Sequence, residues 1–517
     1  MRHRLAVPAL LAAFATGCSL QPVYERPAAP VANTFPSGAA YKSSPAQAAT
    51  ALPAADTGWR DFLRDARLQR LVEIALAHNR DLRVAMLNVE QSRALSRIQR
   101  AALFPQVGGF ADASRSHTPA GVASGGKAST SQSYEVGVSL SWEIDFFGRL
   151  KSLNDAALQQ YFATAYARQA AEILLVSQVA DQYLTLLAFD EQLKVTQQTA
   201  ATARASYDIV KLQFDTGTGT ELALRQAQTV VELAQANYAA QVRGRAQAEN
   251  ALVLLIGEAL PADLPPPVRL GAQAILADIP EELPSDLLTR RPDILQAESV
   301  LRAENANIGA ARAAFFPSIN LTGTLGSASA SLAGLFAGGA SIWSLIPAIT
   351  IPIFNAGALS ASLDVAYVQK DIGIAQYEKA IQTAFREVSD GLAARGTFDD
   401  QLAATERYAS AQQRTLELSD FRYRNGVDNY LTVLTAQTGY YNAQLSVVAT
   451  RLQRLTNLVD LYRELGGGWI EKTGDTPRPV DAALAQQAAP DRDRLGISQL
   501  LSPHLTSAQP GRQGELP

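Results

Sequence analysis

The chain has 517 residues, with 45 Lys and Arg against 49 Asp and Glu, so its net charge of −4 offers no basic field for nucleic acid. With 47% hydrophobic and 18% charged residues, it does not have the composition of a disordered chain. The single cysteine, Cys18, excludes an internal disulfide, and the four histidines lie far apart. These counts argue against a zinc enzyme and a Cys–His nucleophile pair, and we expect no metal site.

The N-terminus has the pattern of an export signal. Two arginines precede an apolar run that is too short to span a bilayer but fits a signal peptide ending at residue 17. Small residues then lead to Cys18, as in a bacterial lipobox, so we expect Cys18 to be the lipid attachment site. The alternative is an ordinary signal peptide with an unrelated cysteine. Residues 18–55 are rich in Pro, Ala and Ser and predict an extended leader.

The body of the chain is a tandem duplication. Phe104 and Phe316 each precede a proline after an Ala-rich helical pattern, 212 residues apart. Gly217 and Gly426 recur in the same way, 209 residues apart. Each half is therefore predicted to contain a helix, two strands, a long helix, a tight turn and a second long helix.

The predicted strands carry an alternating pattern. Apolar side chains occupy every second position of residues 134–146, and residues 318–325 repeat the pattern. Less regular strands are predicted after Pro105 and around Trp343. Such strands have one apolar face, and their length fits tilted transmembrane strands of about 9–11 residues. A soluble sandwich strand alternates identically and is the alternative.

Four strands cannot close a barrel, since small barrels need about eight. An open sheet in lipid would leave edge N–H and C=O groups unpaired, each at a cost of several kcal/mol. If these strands span a membrane, several chains must therefore share one barrel. A trimer would supply twelve strands.

The predicted helices are too long for a globular domain. Residues 150–214 contain neither Pro nor Gly, which allows a helix of about 96 Å, whereas the average helix has about 11–12 residues. In the returning helix of the second half, apolar residues from Tyr441 to Tyr462 alternate at spacings of four and three. Such a narrow seam fits helices in the wall of a hollow tube. An ordinary coiled-coil stalk remains the alternative.

Three motifs occur in the order found in one family: residues 288–294 followed by 303–317, residues 422–431 and residues 466–469. With them, residues 18–470 resemble the outer membrane factor family, the TolC-like ducts (NodT subgroup) of tripartite RND-type efflux systems. The resemblance implies an α+β membrane protein and a homotrimer. Its 12-stranded outer-membrane β-barrel, with four strands per chain, continues into a periplasmic α-helical barrel with an equatorial domain.

Patterns and resemblance together divide the chain into ten segments. They are a signal peptide (1–17), a lipidated extended leader (18–55), a first-half equatorial and helical segment (56–104), transmembrane strands 1 and 2 (105–148), periplasmic helical hairpin 1 (149–257), an equatorial linker (258–290), a second-half helix (291–316), transmembrane strands 3 and 4 (317–356), periplasmic helical hairpin 2 (357–468) and a mobile C-terminal tail (469–517). The equatorial domain is expected to combine residues 56–75, parts of 258–290 and the end of the chain.

The resemblance implies a periplasmic gate at the turns between the long helices. Leu431 matches the family's apolar constriction, and Arg422 and Tyr423 match residues that tie inner to outer helices in the closed state. Gly217 and Gly426 lie at the turns that face the adaptor. Nearby charges expected to join the gate are Asp215, Asp420, Arg424 and Asp428.

One departure from the family affects the gate. Thr435 and Thr438 stand where members often carry an acidic and a basic residue. The sequence thus leaves open whether an acidic, cation-binding ring exists, and the seal is expected to rest mainly on Leu431. Solvated turn residues without a gating role are the alternative.

The predicted function is an exit duct that passively conducts drugs or other small molecules from an inner-membrane transporter to the exterior. The expected partners are two further copies, a periplasmic adaptor (membrane fusion) protein, the inner-membrane pump and outer membrane lipid. The expected location is the bacterial outer membrane, with an extension into the periplasm. No enzymatic constellation is found, and no cofactor is expected besides the lipid on Cys18. The alternatives are a structural coiled-coil envelope protein and a general porin without a pump partner.

Overall fold

The computed structural model describes residues 19–41, 52–122, 125–273, 275–276 and 284–475. The predicted signal peptide, Cys18 and residues 476–517 of the predicted tail lie outside the described residues. The described strands are β1 (Gln106–Thr118), β2 (Ser129–Ile144), β3 (Ser318–Ser329) and β4 (Ser341–Thr350). The described helices are α1 (Trp59–Phe62), α2 (Ala66–His78), α3 (Arg80–Ala101), α4 (Arg149–Asp215), α5 (Glu221–Ile256), α6 (Pro284–Arg290), α7 (Pro292–Ala313), α8 (Ala358–Arg424) and α9 (Tyr430–Glu464). The order α3, β1, β2, α4, α5 recurs as α7, β3, β4, α8, α9.

The two outgoing helices dominate the chain. Helices α4 and α8 have 67 residues each, which corresponds to about 100 Å. Each follows a glycine in the left-handed region, Gly148 (φ 72°) and Gly357 (φ 88°). The carboxylate of Asp145 accepts hydrogen bonds from the amides of Leu150 (3.0 Å) and Lys151 (2.7 Å), which satisfies two free donors at the start of α4. Among the described residues, no helix is both long and apolar enough to cross a bilayer.

The four strands form one antiparallel sheet in the order β1-β2-β3-β4, and the β2–β3 pairing joins the two halves. Val107 pairs with Leu140, Leu140 with Gly323 and Gly323 with Leu345, so these residues share one face across the sheet. On the opposite face, the hydroxyls of Thr324 and Ser344 lie 2.6 Å apart. The alternating pattern therefore predicted the sheet correctly.

The main core lies between α1, α2 and the middle of the chain's long helices. The rings of Phe62 and Tyr462 stack with centroids 3.9 Å apart, and the Tyr462 hydroxyl donates to the carbonyl of Thr57 (2.6 Å). Leu63 pairs with Ile275 of the linker in an isolated bridge. The segments expected to form the equatorial domain are thus in contact here.

The prediction of a mobile tail from residue 469 is wrong for residues 469–475. The carbonyl of Ile470 accepts from the amide of Trp59 (2.8 Å), and the carboxylate of Glu471 accepts from the guanidinium of Arg60 (2.8 Å). The first amides of a helix have no partner within the helix, and here the carbonyls of Ile470 and Glu471 accept from the first amides of α1.

The leader is extended, as predicted, but it is also docked on the second half. The side-chain amide of Asn305 donates to the carbonyl of Pro22 (2.8 Å). Arg26 donates two hydrogen bonds, of 3.0 and 2.8 Å, to the buried carboxylate of Glu298. Residues 20–26 are therefore bound along α7, and the ring of Phe35 stacks on Phe385 of α8 at 5.2 Å.

Candidate gate at the helix turns

The first turn joins α4 to α5. Gly217 has φ 76°, a left-handed conformation that favours glycine. The amides of Thr218 and Gly219 both donate to the carbonyl of Gln213, at 2.9 and 2.8 Å. The hydroxyl of Thr220 then caps α5. The end of α4 and the start of α5 are thus both capped within the few residues over which the chain reverses direction.

The second turn, between α8 and α9, has the same construction. Gly426 has φ 72°, and its amide donates to the carbonyl of Tyr423 (2.9 Å). The amide of Val427 donates to the carbonyl of Arg422 (3.0 Å), and the side chain of Asn429 caps α9. Both glycines named from the sequence therefore have the positive φ that such a helix end requires.

Arg422 and Asp428 form a bidentate ion pair across the second turn. The guanidinium nitrogens lie 2.6 and 2.9 Å from the two carboxylate oxygens. Hydrogen bonding from Arg422 lowers the pKa of Asp428 below its ordinary value, and the carboxylate raises the pKa of Arg422. Arg422 thus closes its own turn, whereas the family resemblance implied a tie between inner and outer helices.

Tyr423 does connect the two hairpins. Its hydroxyl donates to the side-chain oxygen of Gln213 on α4 at 3.0 Å. Its ring lies 5.2 Å from the ring of Tyr430, which packs with Val210 and Val433 in a small buried cluster. Burial raises the pKa of Tyr430 to about 12. The cluster holds the ends of α4, α8 and α9 together.

Leu431 lies in the first turn of α9 with half of its side chain exposed. Its counterpart in the duplication, Leu222, is exposed at the start of α5. The hydroxyl of Thr435 donates to the carbonyl of Leu431 (2.9 Å), so it is bonded to its own helix. The described residues contain no group of three or more His, Cys, Asp or Glu that could hold a metal ion.

The remaining predicted charges form pairs along single helices. Asp215 lies 4.0 Å from Lys211 on α4, and Arg424 lies 2.8 Å from Asp420 on α8. Exposed pairs of this spacing contribute about 0.3–0.5 kcal/mol each, so they stiffen the helix ends and do not link the hairpins.

The sequence reasoning missed a group of exposed apolar side chains around both turns. We call it the tip patch, and its members are Leu212, Phe214, Leu418, Phe421 and Val427. Their position off the buried seams of α4 and α8, next to the turn glycines, is the signal that could have revealed them. Clustered exposed apolar residues of this kind mark protein interaction surfaces.

The chain matches a known family in both halves of the duplication. Residues 71–258 and 283–467 match the sequence model of the outer membrane efflux protein family. The toluene efflux pump outer membrane protein TtgC of Pseudomonas putida is 48% identical over 459 residues, which cover 89% of this chain and 94% of that protein. The outer membrane protein OprJ of Pseudomonas aeruginosa is 44% identical over 468 residues, 90% of this chain and 96% of that protein.

A solved channel structure has the same fold. The open state of the MtrE outer membrane channel of Neisseria gonorrhoeae matches with a TM-score of 0.80 at 39% identity. The match covers 89% of this chain and 100% of that chain. The long helices, the sheet and the turns therefore belong to one shared architecture.

Proposed function

This chain belongs to the outer membrane efflux protein family, and we propose that it forms the exit duct of an efflux pump. It passively conducts drugs or other small molecules from an inner-membrane transporter to the exterior. The family resemblance drawn from the motifs is thereby confirmed, and the family is one of channels rather than enzymes. The duct lies in the outer membrane and extends into the periplasm.

The observation that carries the proposal is the direct connection from the strands of the sheet to the two long helices. A sheet with one apolar face continues through Gly148 and Gly357 into two helices of about 100 Å. Such a chain supplies one segment of the wall of a duct, with strands inside the membrane and helices outside it. Unpaired strand edges are costly in a bilayer, so the outer strands β1 and β4 require neighbours. Three copies supply a closed barrel of twelve strands.

A lipid on Cys18 fits the placement of the leader. The carbonyl of Leu20 accepts from the guanidinium of Arg312 (3.3 Å), which lies in the last turn of α7, shortly before β3. A lipid two residues earlier would therefore enter the membrane beside the barrel. Incorporation of labelled palmitate tests this anchor, and it should be lost in Cys18→Ala.

The tips are the proposed docking site of a periplasmic adaptor that links the duct to its inner-membrane pump. The tip patch offers apolar area around Gly217 and Gly426, and the closed gate rests on Leu431 and the contacts of Tyr423 and Arg422. Assembly opens the gate by drawing these turns apart.

Deletion of the gene tests the function directly. Energised cells that lack the duct should accumulate more of a hydrophobic dye, and the wild-type gene should restore low accumulation. Loss of a general porin would instead slow the uptake of small hydrophilic solutes. Loss of a structural envelope protein would leave dye efflux unchanged, and either result would contradict the proposal.

A further inference from the structure

A cavity of about 870 Å³ lies between the linker and three of the long helices. Residues of α4, α8 and α9 line it, and the short 3₁₀ turn Leu270–Ala272 of the linker forms one side. Its volume is within the range of about 300–1,000 Å³ that is usual for small-molecule sites. The gate and the sheet do not involve this cavity, which we call the linker cavity.

The linker is anchored before and after the stretch that lines the cavity. The guanidinium of Arg67 on α2 donates to the carbonyl of Pro265 (2.8 Å), and the side-chain amide of Gln273 donates to the carboxylate of Asp65 (2.9 Å). Asp65 is itself buried and caps α2, and Leu270 is buried in the main core. The linker cavity is therefore bounded by chain that is held in place by hydrogen bonds and by apolar packing.

Much of the lining is apolar. Four of the lining side chains are themselves buried, namely Leu187, Leu270, Val447 and Val448. Tyr440 of α9, which is partly buried, adds an aromatic ring. A ligand that fills the cavity therefore needs an apolar or aromatic body.

Two acidic residues of the lining are already neutralised by arginines. The carboxylate of Asp190 on α4 accepts from the guanidinium of Arg245 on α5 (2.6 Å). The carboxylate of Glu406 on α8 accepts from the guanidinium of Arg451 on α9 (2.7 Å). These pairs fix the walls of the cavity and leave little charge for a ligand.

The remaining charges favour an anion. Lys194 of α4 and Arg269 of the linker line the cavity and are exposed, and their side chains have no hydrogen bond or ion pair to any residue that the structure describes. Glu191 is the one lining carboxylate, among the described residues, that is likewise unpaired. Two cations against one carboxylate leave a positive field beside an apolar lining.

The position of the cavity along the helices determines where a ligand comes from. Leu187 lies about 57 Å of helix beyond Arg149, the first residue of α4. On the proposed duct the strands lie in the bilayer, so the headgroup of a lipid in that bilayer does not reach the cavity. The ligand therefore comes from the aqueous phase, and this step rests on the proposed function.

We propose that the linker cavity binds a water-soluble amphipathic anion, a small molecule with an apolar or aromatic body and a carboxylate or sulfonate group. The body packs on the apolar lining, and the acidic group is attracted by Lys194 and Arg269. Helix α4 belongs to the first hairpin, whereas α8 and α9 belong to the second. A bound ligand thus contacts both hairpins and stabilises their present arrangement.

Fluorescein is a suitable probe because it is a planar aromatic anion. Its binding to the full-length trimer in phosphatidylcholine nanodiscs can be followed by fluorescence anisotropy, with empty nanodiscs as the background. We expect saturable binding of one probe per chain, with a Kd below about 100 μM. A cationic rhodamine ester with the same ring frame should bind about tenfold more weakly or worse. No saturation by fluorescein up to about 1 mM, or equal affinity for the two dyes, would overturn the inference.

Charge variants locate the site. Lys194→Gln combined with Arg269→Gln should weaken fluorescein binding by about tenfold or more, whereas Glu191→Gln removes the opposing carboxylate and should tighten it by about two- to fivefold. The matched control is Lys127→Gln with Arg243→Gln, which makes the same change in net charge at two exposed positions outside the lining. Equal affinities of the two double variants would place the binding elsewhere and overturn the inference.

A filled cavity tests the shape of the site without a change in charge. Ala409→Phe on α8 places a ring among the lining residues and should weaken fluorescein binding by about tenfold or more, with a normal yield of trimer. Ala404→Phe, at an exposed position of the same helix outside the lining, is the control. Wild-type affinity in Ala409→Phe would contradict the proposed site.

The contact with both hairpins predicts an effect on stability. Saturating fluorescein should raise the melting temperature of the wild-type trimer and leave that of the variant with Lys194→Gln and Arg269→Gln unchanged. An equal rise in the two proteins would count against the site. A trimer that restores low dye accumulation in cells but does not bind fluorescein would overturn this inference alone and leave the proposed function intact.

Discussion

The hydroxyl of Tyr423 donates a 3.0 Å hydrogen bond to the side-chain oxygen of Gln213, and this contact joins the ends of α8 and α4. Gln213 is itself held in place, because its carbonyl accepts the amides of Thr218 and Gly219 in the first turn. The bond therefore ties the second hairpin to a hydrogen-bonded turn of the first. In the proposed gate, a small number of such contacts would hold the closed state until assembly.

Removing this tie should loosen the closed duct. Tyr423→Phe keeps the ring beside Tyr430 but loses the hydrogen bond, which contributes about 0.5–1.5 kcal/mol. We expect the leak through single channels in planar bilayers to rise by roughly two- to tenfold, without a change in trimer stability. Tyr238→Phe on α5, away from the turns, is the matched control. Equal leak from the two variants would count against the tie.

The ion pair of Arg422 and Asp428 should keep the second turn closed over a wide pH range. The pKa of Asp428 is lowered in the folded chain, so the pair contributes fully above the ordinary value of 3.8 and is lost only as the pH falls through the lower folded pKa. Leak should therefore be constant from about pH 5 to pH 8. Asp428→Asn should raise the leak and speed cleavage of the turn by protease. The exchange Arg422→Asp with Asp428→Arg should restore wild-type behaviour, and its failure to do so would show that charge pairing is not what closes the turn.

The duplication supplies an internal control for the apolar constriction. Leu431→Ser replaces an apolar side chain with a hydroxyl at the predicted seal and should increase the conductance of the isolated duct several-fold. Leu222→Ser makes the same change at the equivalent position of the other hairpin and should leave conductance near the wild-type value. If both variants leak alike, the seal does not depend on Leu431.

Sequence patterns predicted the features that depend on interactions between nearby residues. The absence of Pro and Gly from residues 150–214 predicted α4, and alternation in residues 134–146 predicted the strand that became β2. Gly217 and Gly426 were identified as turns because a reversal between two helices needs a positive φ, which both have. Each of these inferences depends on neighbours within a few turns or on a short period.

Contacts between distant segments were not predictable in this way. Arg291 belongs to a motif identified in the sequence, and in the structure its guanidinium bonds the carboxylate of Glu387 (2.9 Å) and the carbonyl of Glu464 (2.9 Å). The Gly-rich segment before Ile470 has the composition of a loop, and the hydrogen bond between Ile470 and Trp59 spans most of the chain. The spacing of apolar residues along the chain does not identify a contact partner hundreds of residues away.

The docked leader is a second long-range feature, and it can be released selectively. Arg26→Ala removes both bonds to Glu298, while Arg302 still pairs with that carboxylate at 2.7 Å. We expect the leader to become about five- to thirtyfold more sensitive to proteinase K, as for a loss of roughly 1–2 kcal/mol of local stability. Glu25→Ala alters the adjacent exposed residue and is the control. Unchanged cleavage in Arg26→Ala would show that the other leader contacts suffice.

A buried carboxylate in the core should make the stability of the duct depend on pH. Glu464 is 8% exposed, and among the described residues its Oε2 has no hydrogen-bond partner. Burial raises its pKa to about 7 from an ordinary 4.5, and repulsion from Asp460 and Glu387 acts in the same direction. The positive charges of Arg463 (3.3 Å) and Arg291 lower the pKa but only partly offset this rise.

The sign of this effect follows from the raised pKa. Below about pH 4.5 the group is protonated in both folded and unfolded chains and costs nothing, and the cost of keeping it buried grows until about pH 7. Glu464→Gln stays neutral, so it should raise the melting temperature of the duct at pH 8, by the equivalent of roughly 1–3 kcal/mol, and leave it unchanged near pH 4.5. The matched control is Glu232→Gln, which removes an exposed carboxylate from α5. A variant of Glu464 that melts like the wild type at pH 8 would show that the carboxylate is paired and ionised in the folded duct.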